Sequence, residues 1–291
     1  MHERCLNTFG RDARWFQIFA LAALLSYGVV QLHFDIAWDS IVIVLGTVLF
    51  CQYLCTKLFH LPFFDPKSAL ISGLSLCLLF RSNSVLLLVT AGVVAVASKF
   101  VFRWRGKHLF NPTNFAIVVL LSVAPSRVWV SPGQWGMIAF FAFLMVCLGG
   151  LVVSRAARAD VAISFLVGYL ALLFGRSFGL GEPMSIPFHR MQSGALLLFA
   201  FFMISDPKTT PNSRAGRIVF ALFVAVGAWY IQFRLFRTNG LLWSLAASSL
   251  VVPVLDWLLP GPRYQWQPTV PCPVNPIPST ATLNTYETIP A

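Results

Sequence analysis

The sequence predicts an all-α polytopic membrane protein, with about ten transmembrane helices in two inverted five-helix repeats, some of them short or broken. Three observations predict it. The chain of 291 residues is 57% hydrophobic and 11% charged, against roughly 25% charged residues in soluble domains. Its apolar residues gather into ten runs, at 15–34, 38–57, 68–80, 85–102, 112–126, 134–153, 160–176, 192–205, 215–233 and 239–258. Its Lys and Arg residues are distributed unevenly between those runs.

The first run follows Arg4, Arg11 and Arg14, an arrangement that mimics the charged region of a signal peptide. It is too long, and followed by too many further runs, for cleavage. Residues 1–14 are therefore read as a cytoplasmic N-terminus, 15–130 as the first five-helix repeat and 131–259 as the second. The third, fifth and eighth runs are short. Gly194 to Ile204, at 11 residues, reaches only about 17 Å as a helix against a hydrocarbon core of roughly 30 Å. It stops at Ser205-Asp206-Pro207-Lys208-Thr209-Thr210-Pro211. Polar backbone at membrane depth is tolerated where protein or a water-filled cavity surrounds it, and interrupted helices are where membrane proteins build binding sites. Residues 260–291 are rich in Pro, Thr and Ser and lack apolar periodicity, which predicts a disordered cytoplasmic tail.

A net charge of +11 in a soluble protein would point to nucleic acid. Here its distribution explains it better. Only Arg81, Arg127, Arg176, Arg190, Arg234 and Arg237 flank the runs on one side; the other 15 of 21 Lys and Arg lie on the side of the N-terminus. The positive-inside rule makes that side cytoplasmic. Both termini are then cytoplasmic, the partner implied is the lipid bilayer, and no nucleic-acid partner is expected.

The two halves echo each other. Ser72-Gly73 opens the third run and Ser193-Gly194 the eighth. Leu109-Phe110-Asn111-Pro112-Thr113-Asn114 opens the fifth run and Leu235-Phe236-Arg237-Thr238-Asn239-Gly240 the tenth. Gly73 to Asn114 is 41 residues and Gly194 to Asn239 is 45. Five spans per half is an odd number, so the halves sit inverted in the bilayer. Inverted repeats with paired short segments place a site between the halves.

Ser-Gly before an apolar run, then Phe201-Phe202-Met203, Asp206-Pro207 with Thr209 and Pro211, and Gly216-Arg217 downstream, resembles the NqrB/RnfD-type membrane subunits. NqrB belongs to the sodium-pumping NADH:quinone reductase and RnfD to the Rnf electron-transport complex. Phe110-Asn111-Pro112-Thr113-Asn114 is similar to that family's FNPAA-like helix start. The resemblance implies an electron-transport subunit of the bacterial inner membrane, a flavin (FMN or riboflavin) or quinone ligand, and other membrane redox subunits as partners. The two motifs nominate Asn111, Thr113, Asn114, Ser193, Gly194, Asp206, Lys208, Thr209 and Thr210 as ligand-binding; the repeat adds Asn239.

The residues themselves fit such a role. Asn111 can cap a helix whose first residue is Pro112, and Thr238-Asn239 can do the same for the tenth run. Helix N-termini carry unpaired N–H groups and partial positive charge, which suit an anionic or carbonyl-rich ligand. Both could equally be ordinary caps at the membrane surface. Asp206 and Lys208 straddle Pro207 and could pair, with Thr209 and Thr210 offering hydroxyls beside them. Cys51 and Cys55 share a helix face, but no Cys-x-x-Cys occurs, and no metal site is expected.

The family attaches FMN through the Thr of a Ser/Thr-Gly-Ala-Thr motif on the outer side. The corresponding loop here, residues 124–135, contains no Thr, and Ser193-Gly194-Ala195 continues with Leu196. The loose match Ser279-Thr280-Ala281-Thr282 lies in the tail. No covalent FMN is expected. The alternative on the same scaffold is a transporter or channel for a small, flavin-like solute.

Overall fold

The computed structural model describes residues 12–264 apart from 33, 35 and 132–138, and describes only the backbone of 139–142. The tail 265–291, the motif at 279–282 and most of the N-terminal segment therefore lie outside the described residues.

The first half contains α1 (Ala13–Val30), α2 (Trp38–Leu58), α3 (Lys67–Leu79), α4 (Val85–Val101) and α5 (Pro112–Val123). The second contains α6 (Ala139–Arg155), α7 (Ala159–Leu180), the short α8 (Ser185–Met191), α9 (Gly194–Leu198) running into a π-helical turn over Phe199–Met203, α10 (Arg214–Phe233), α11 (Gly240–Ser249) and α12 (Val252–Leu258). Local chemistry sets several boundaries. The Asp12 carboxylate caps α1 by accepting from the Arg14 N–H at 3.0 Å, and Ser213 Oγ caps α10 by accepting from Gly216 N–H at 3.1 Å. Gly181, at φ +68°, ends α7 in the left-handed conformation that glycine adopts without strain.

Four helices, α1, α2, α7 and α10, are long and apolar enough to cross a membrane. The pair α11 and α12, bent by 50°, makes a fifth, broken span. α3, α4, α5, α6 and α9 with its π turn are apolar but shorter. Ten apolar segments are thus present among the described residues, while full-length crossing is met by four or five. The all-helical expectation also misses two small antiparallel ladders among the connections. β1 (Phe80–Ser82) pairs with β4 (Val128–Val130), with Phe80 opposite Val130, and β2 (Arg103–Trp104) pairs with β3 (Lys107–His108). These residues follow helix ends whose orphan carbonyls and N–H groups need partners.

The packing order repeats. In the first half α1 and α2 pack on α3, α2 packs on α4, and α4 on α5. In the second half α6 and α7 pack on α9 or its π turn, α7 packs on α10, and α10 on α11. Between the halves, α1 meets α6 and α5 meets α11. Large apolar side chains such as Val42, Phe50, Val167, Phe178 and Phe223 are more than half exposed on the outside of the bundle. A surface of this kind belongs in lipid rather than water.

Candidate ligand cavities

The start of α5 is built as the sequence predicts. Asn111 Oδ1 accepts from the Asn114 N–H at 3.1 Å, with Pro112 at the first helical position. The other end of the Asn111 amide donates to Met203 O at 3.2 Å. That carbonyl closes the π turn. The wider turn bonds Ile204 N–H to Phe199 O at 3.0 Å, and π bulges commonly mark functional sites in helices. Asn111 therefore couples the short helix of one half to the interrupted helix of the other.

Asp206 follows directly. Its Oδ1 accepts from the Lys208 N–H at 3.0 Å, and its carbonyl accepts from the N–H groups of Thr209 and Thr210, each at 3.2 Å. Burial raises the Asp206 carboxyl above the usual carboxylate range, opposed by the Lys208 N–H and the charges of Lys99, Lys208 and Arg158. No ion pair joins the Asp206 and Lys208 side chains among the described residues. The expected pairing across Pro207 does not form, because the carboxylate turns back onto the backbone in a tight Asx-type turn.

Asn111, Thr113, Asp206 and Lys208 border one cavity of about 210 Å³. It is walled by α2, α3, α4 and the ends of α5 and the π turn. Gln52, Lys99, Arg103 and His108 also line it. Lys99 is 3% exposed and donates to Ser68 O on α3 at 2.8 Å. Arg103 Nε donates to Lys99 O at 2.6 Å, and His108 Nδ1 lies 3.1 Å from the same carbonyl. Burial, then the charges of Lys99 and Arg103, pushes the His108 imidazole down to about 4. The sequence reading missed Gln52, Lys99 and His108. A lone Gln or Lys inside an apolar run was the available signal, since buried polar groups at membrane depth are costly and usually functional.

Other nominated residues sit elsewhere. Thr209 and Thr210 are buried on the far side of the loop. Thr210 Oγ1 accepts from Arg158 Nε at 3.1 Å, and Thr210 O accepts from Lys107 Nζ at 2.6 Å. Lys107 also pairs with Asp256 of α12 at 2.8 Å, whose other oxygen accepts from the Asn212 N–H at 2.7 Å. Arg217 Nη1 donates to Asn212 O at 2.8 Å while pairing with Asp160 at 2.6 Å. Residues 210–212 are thus held by Lys107, Arg158, Asp256 and Arg217. Asn114, 1% exposed, donates to Leu242 O at 3.1 Å. Each is the third residue of its helix, so the starts of α5 and α11 overlap inside the bundle.

Ser193 and Asn239 line a second cavity of about 530 Å³, with Tyr169, His189, Arg190, Gln192 and Gln232; Gly194 is buried beside it as the first residue of α9. Tyr169 Oη donates to Gln232 Oε1 at 2.8 Å. Asn239 does not cap α11 as expected. It adopts the left-handed conformation (φ 59°, ψ 33°) with no side-chain bond to the helix. The cause is steric: a Cβ on Gly240 would come within 2.8 Å of Ala228 O on α10, so the chain turns sharply to bring a glycine against that helix.

Comparison with known proteins agrees with the motifs. Residues 131–264 match the NQR2, RnfD, RnfE family. The chain is 25% identical over 284 residues to the D subunit of the ion-translocating oxidoreductase complex from Pseudomonas paraeruginosa, covering 77% of this chain and 81% of that relative. It is 28% identical over 127 residues to the protein of the same name from Citrobacter koseri, and 30% identical over 127 residues to that from Escherichia fergusonii. These two matches cover 43% of this chain and 34% of each relative. The chain is a relative of the NQR2, RnfD, RnfE family and, with its apolar helices, a multi-pass bacterial membrane protein.

Proposed function

We propose that this chain is an electron-transport subunit of the bacterial inner membrane that holds a flavin (FMN or riboflavin) or a quinone non-covalently in the cavity at Asn111 and Asp206. It works with other membrane redox subunits. Its ten segments form two inverted five-helix repeats, with both termini cytoplasmic. The relatives named as the D subunit of an ion-translocating oxidoreductase complex support the class. The observation that carries the ligand is the cavity itself: the two motifs that resemble the family, far apart in sequence, border one space with a buried Lys and a buried Gln.

The residues fit such a group. At about 210 Å³ the cavity is smaller than the roughly 300–1,000 Å³ typical of drug-sized ligands, so it takes a ring or head group with the remainder outside. Phe100 and Phe202 supply flat apolar wall. When bound, a flavin or quinone accepts and returns electrons. Lys99, Arg103 and Lys208 outnumber the carboxylates of Asp65 and Asp206 only slightly once Arg14, which pairs with Asp65, is set aside. They stabilise negative charge arriving in a partly buried site, where Coulomb energies exceed those in bulk water. The packed aromatic and aliphatic walls limit the access of water.

The absorption spectrum of the purified protein tests this reading. A yellow protein whose flavin is released on denaturation, with no fluorescent band near 32 kDa in a denaturing gel, supports it. Stoichiometric extractable quinone supports the other form. One observation favours transport instead: two cavities border the helix starts that the Asn114–Leu242 bond joins, with Asn111 and Thr113 lining one and Asn239 and Leu241 the other. A protein that purifies without any chromophore and carries flavin across vesicles would replace the redox reading.

A further inference from the structure

We call the cavity at Asn111 and Asp206 inner, after the side on which the Lys and Arg distribution places it, and the cavity at Ser193 and Asn239 outer. One buried side chain in the inner cavity makes no side-chain hydrogen bond to a described residue. Gln52 of α2 is 7% exposed, and its backbone carbonyl accepts from Thr56 Oγ1 at 2.8 Å. Its carboxamide oxygen, by contrast, has no hydrogen-bond partner among the described residues, and no bond from its NH₂ to a described residue is found either. An unpaired buried amide bears the cost of its lost hydration with nothing to offset it. Buried polar groups are almost always satisfied, so an unsatisfied amide lining a cavity calls for a ligand. Neighbouring polar groups are already engaged: Lys99 with Ser68 O, Thr113 Oγ1 with Ser72 O at 3.3 Å, and Asn111 at both ends.

We propose that Gln52 is the specificity-determining residue of this cavity, pairing its carboxamide with an N–H that stands beside a carbonyl on a ring. A carboxamide offers one acceptor and two donors in a plane. Its complement is a cyclic amide or imide edge, where the N–H meets the Gln oxygen and the adjacent C=O meets the Gln NH₂. The pairing holds whichever way the amide is turned, because one end accepts and the other donates in either orientation. The flavin ring carries such an edge at its N3–H. An oxidised quinone presents carbonyl oxygens only and leaves the Gln oxygen unpaired. A site built to bond a donor rejects the analogue that lacks it, because the buried partner stays unsatisfied. Gln52 thus selects flavin over oxidised quinone. The inference rests on the ligand reading above and sharpens it.

Fluorescence titration of the full-length, detergent-purified protein, washed free of flavin, with riboflavin and with 3-methylriboflavin tests it. The methyl group blocks the N3 donor. The wild type should bind the analogue about tenfold more weakly, the scale of one or two neutral hydrogen bonds. Gln52→Leu should weaken riboflavin by roughly three- to tenfold and leave the analogue unchanged. Equal wild-type affinities for the two flavins overturn the role of Gln52, as does a preference that persists in Gln52→Leu. A gain in analogue affinity in Gln52→Leu also overturns it, since that marks steric rejection of the methyl group. The wild-type comparison needs no variant, so it decides the matter even where Gln52→Leu does not fold. A wild type that titrates with neither flavin overturns the flavin reading itself, a result distinct from binding without discrimination.

Discussion

The two cavities border the starts of α5 and α11, yet they solve the same backbone problem in opposite ways. In the inner cavity, α5 starts with a capped N-terminus: Asn111 satisfies the helix, and its second amide end reaches Met203 O. In the outer cavity, α11 starts at an uncapped, left-handed Asn239. The inner site is small and crowded with charge, with Lys99, Arg103, Lys208 and Asp206 around about 210 Å³. The outer site is larger, about 530 Å³, and lined mainly by neutral polar groups with Arg190 and His189. The difference teaches that the scaffold supplies two helix starts, while side chains decide the chemistry of each. Gln52 and Lys99 line the inner cavity, whereas Asn114, the third residue of α5, turns its amide NH₂ to Leu242 O instead. The outer cavity offers, besides its own side chains, the backbone N–H groups of Gly240 and Leu241, for which no bond is found among the described residues.

Breaking the clamp behind the inner cavity should have the largest effect. Lys107→Ala leaves Asp256 and Thr210 O without their cation. Removing one partner of a buried pair costs about 3–5 kcal/mol, and the partial exposure of this one puts the loss near 3 kcal/mol. A fall in the detergent-solubilised melting temperature measures it, and an unchanged melting temperature would show that the clamp is ornamental. The comparison of the helix starts comes next. Asn111→Ala removes a cap worth about 0.5–2 kcal/mol and the bond to Met203 O, worth about 1 kcal/mol, and should also lower flavin affinity. Asn239→Gly should change stability by no more than about 0.5 kcal/mol, since it removes no bond and relaxes a left-handed residue. Equal losses in the two variants would erase the asymmetry between the cavities.

His108 gives a smaller, pH-dependent handle confined to the inner side. Its folded value of about 4 lies below the ordinary 6.5. Between these values the unfolded chain takes up a proton that the folded protein refuses, so stability should fall as pH drops from 6.5 towards 4. His108→Gln should flatten that part of the profile, measured by denaturation at several pH values; an unaltered slope would place the titrating group elsewhere. The least perturbing test labels cysteines in a Cys-free background. Ser68→Cys in the inner cavity and Ser131→Cys in the outer should react with impermeant reagents from opposite sides of the membrane. Labelling from one side would break the inverted arrangement.

Some of this was legible in the chain before folding. Asn111-Pro112 writes its own helix start, because both residues act on their immediate neighbours. The shortness of α3, α5 and α9 followed from counting apolar residues between polar breaks. The link between Asp206 and Asn111 came from motif resemblance and was not derivable from spacing. Asn239 looked like a second cap by analogy, but the demand lay in Gly240's contact with α10, which no local pattern records. The partners of Thr210, Arg158 at its hydroxyl and Lys107 at its carbonyl, come from distant parts of the chain that no local pattern records.

By itself the sequence determined that this is an apolar, multi-helix membrane chain, where several of its helices begin, and which family it resembles. Those properties depend on composition and on interactions within a few residues. Only the tertiary structure decided that Gln52 and Lys99 line the same cavity as Asp206, that the Asp206 carboxylate accepts from the Lys208 backbone N–H rather than pairing with its ammonium, and that Asn114 meets Leu242. These depend on which helices pack together, and a hydrogen bond between residues more than a hundred positions apart leaves no trace in local periodicity.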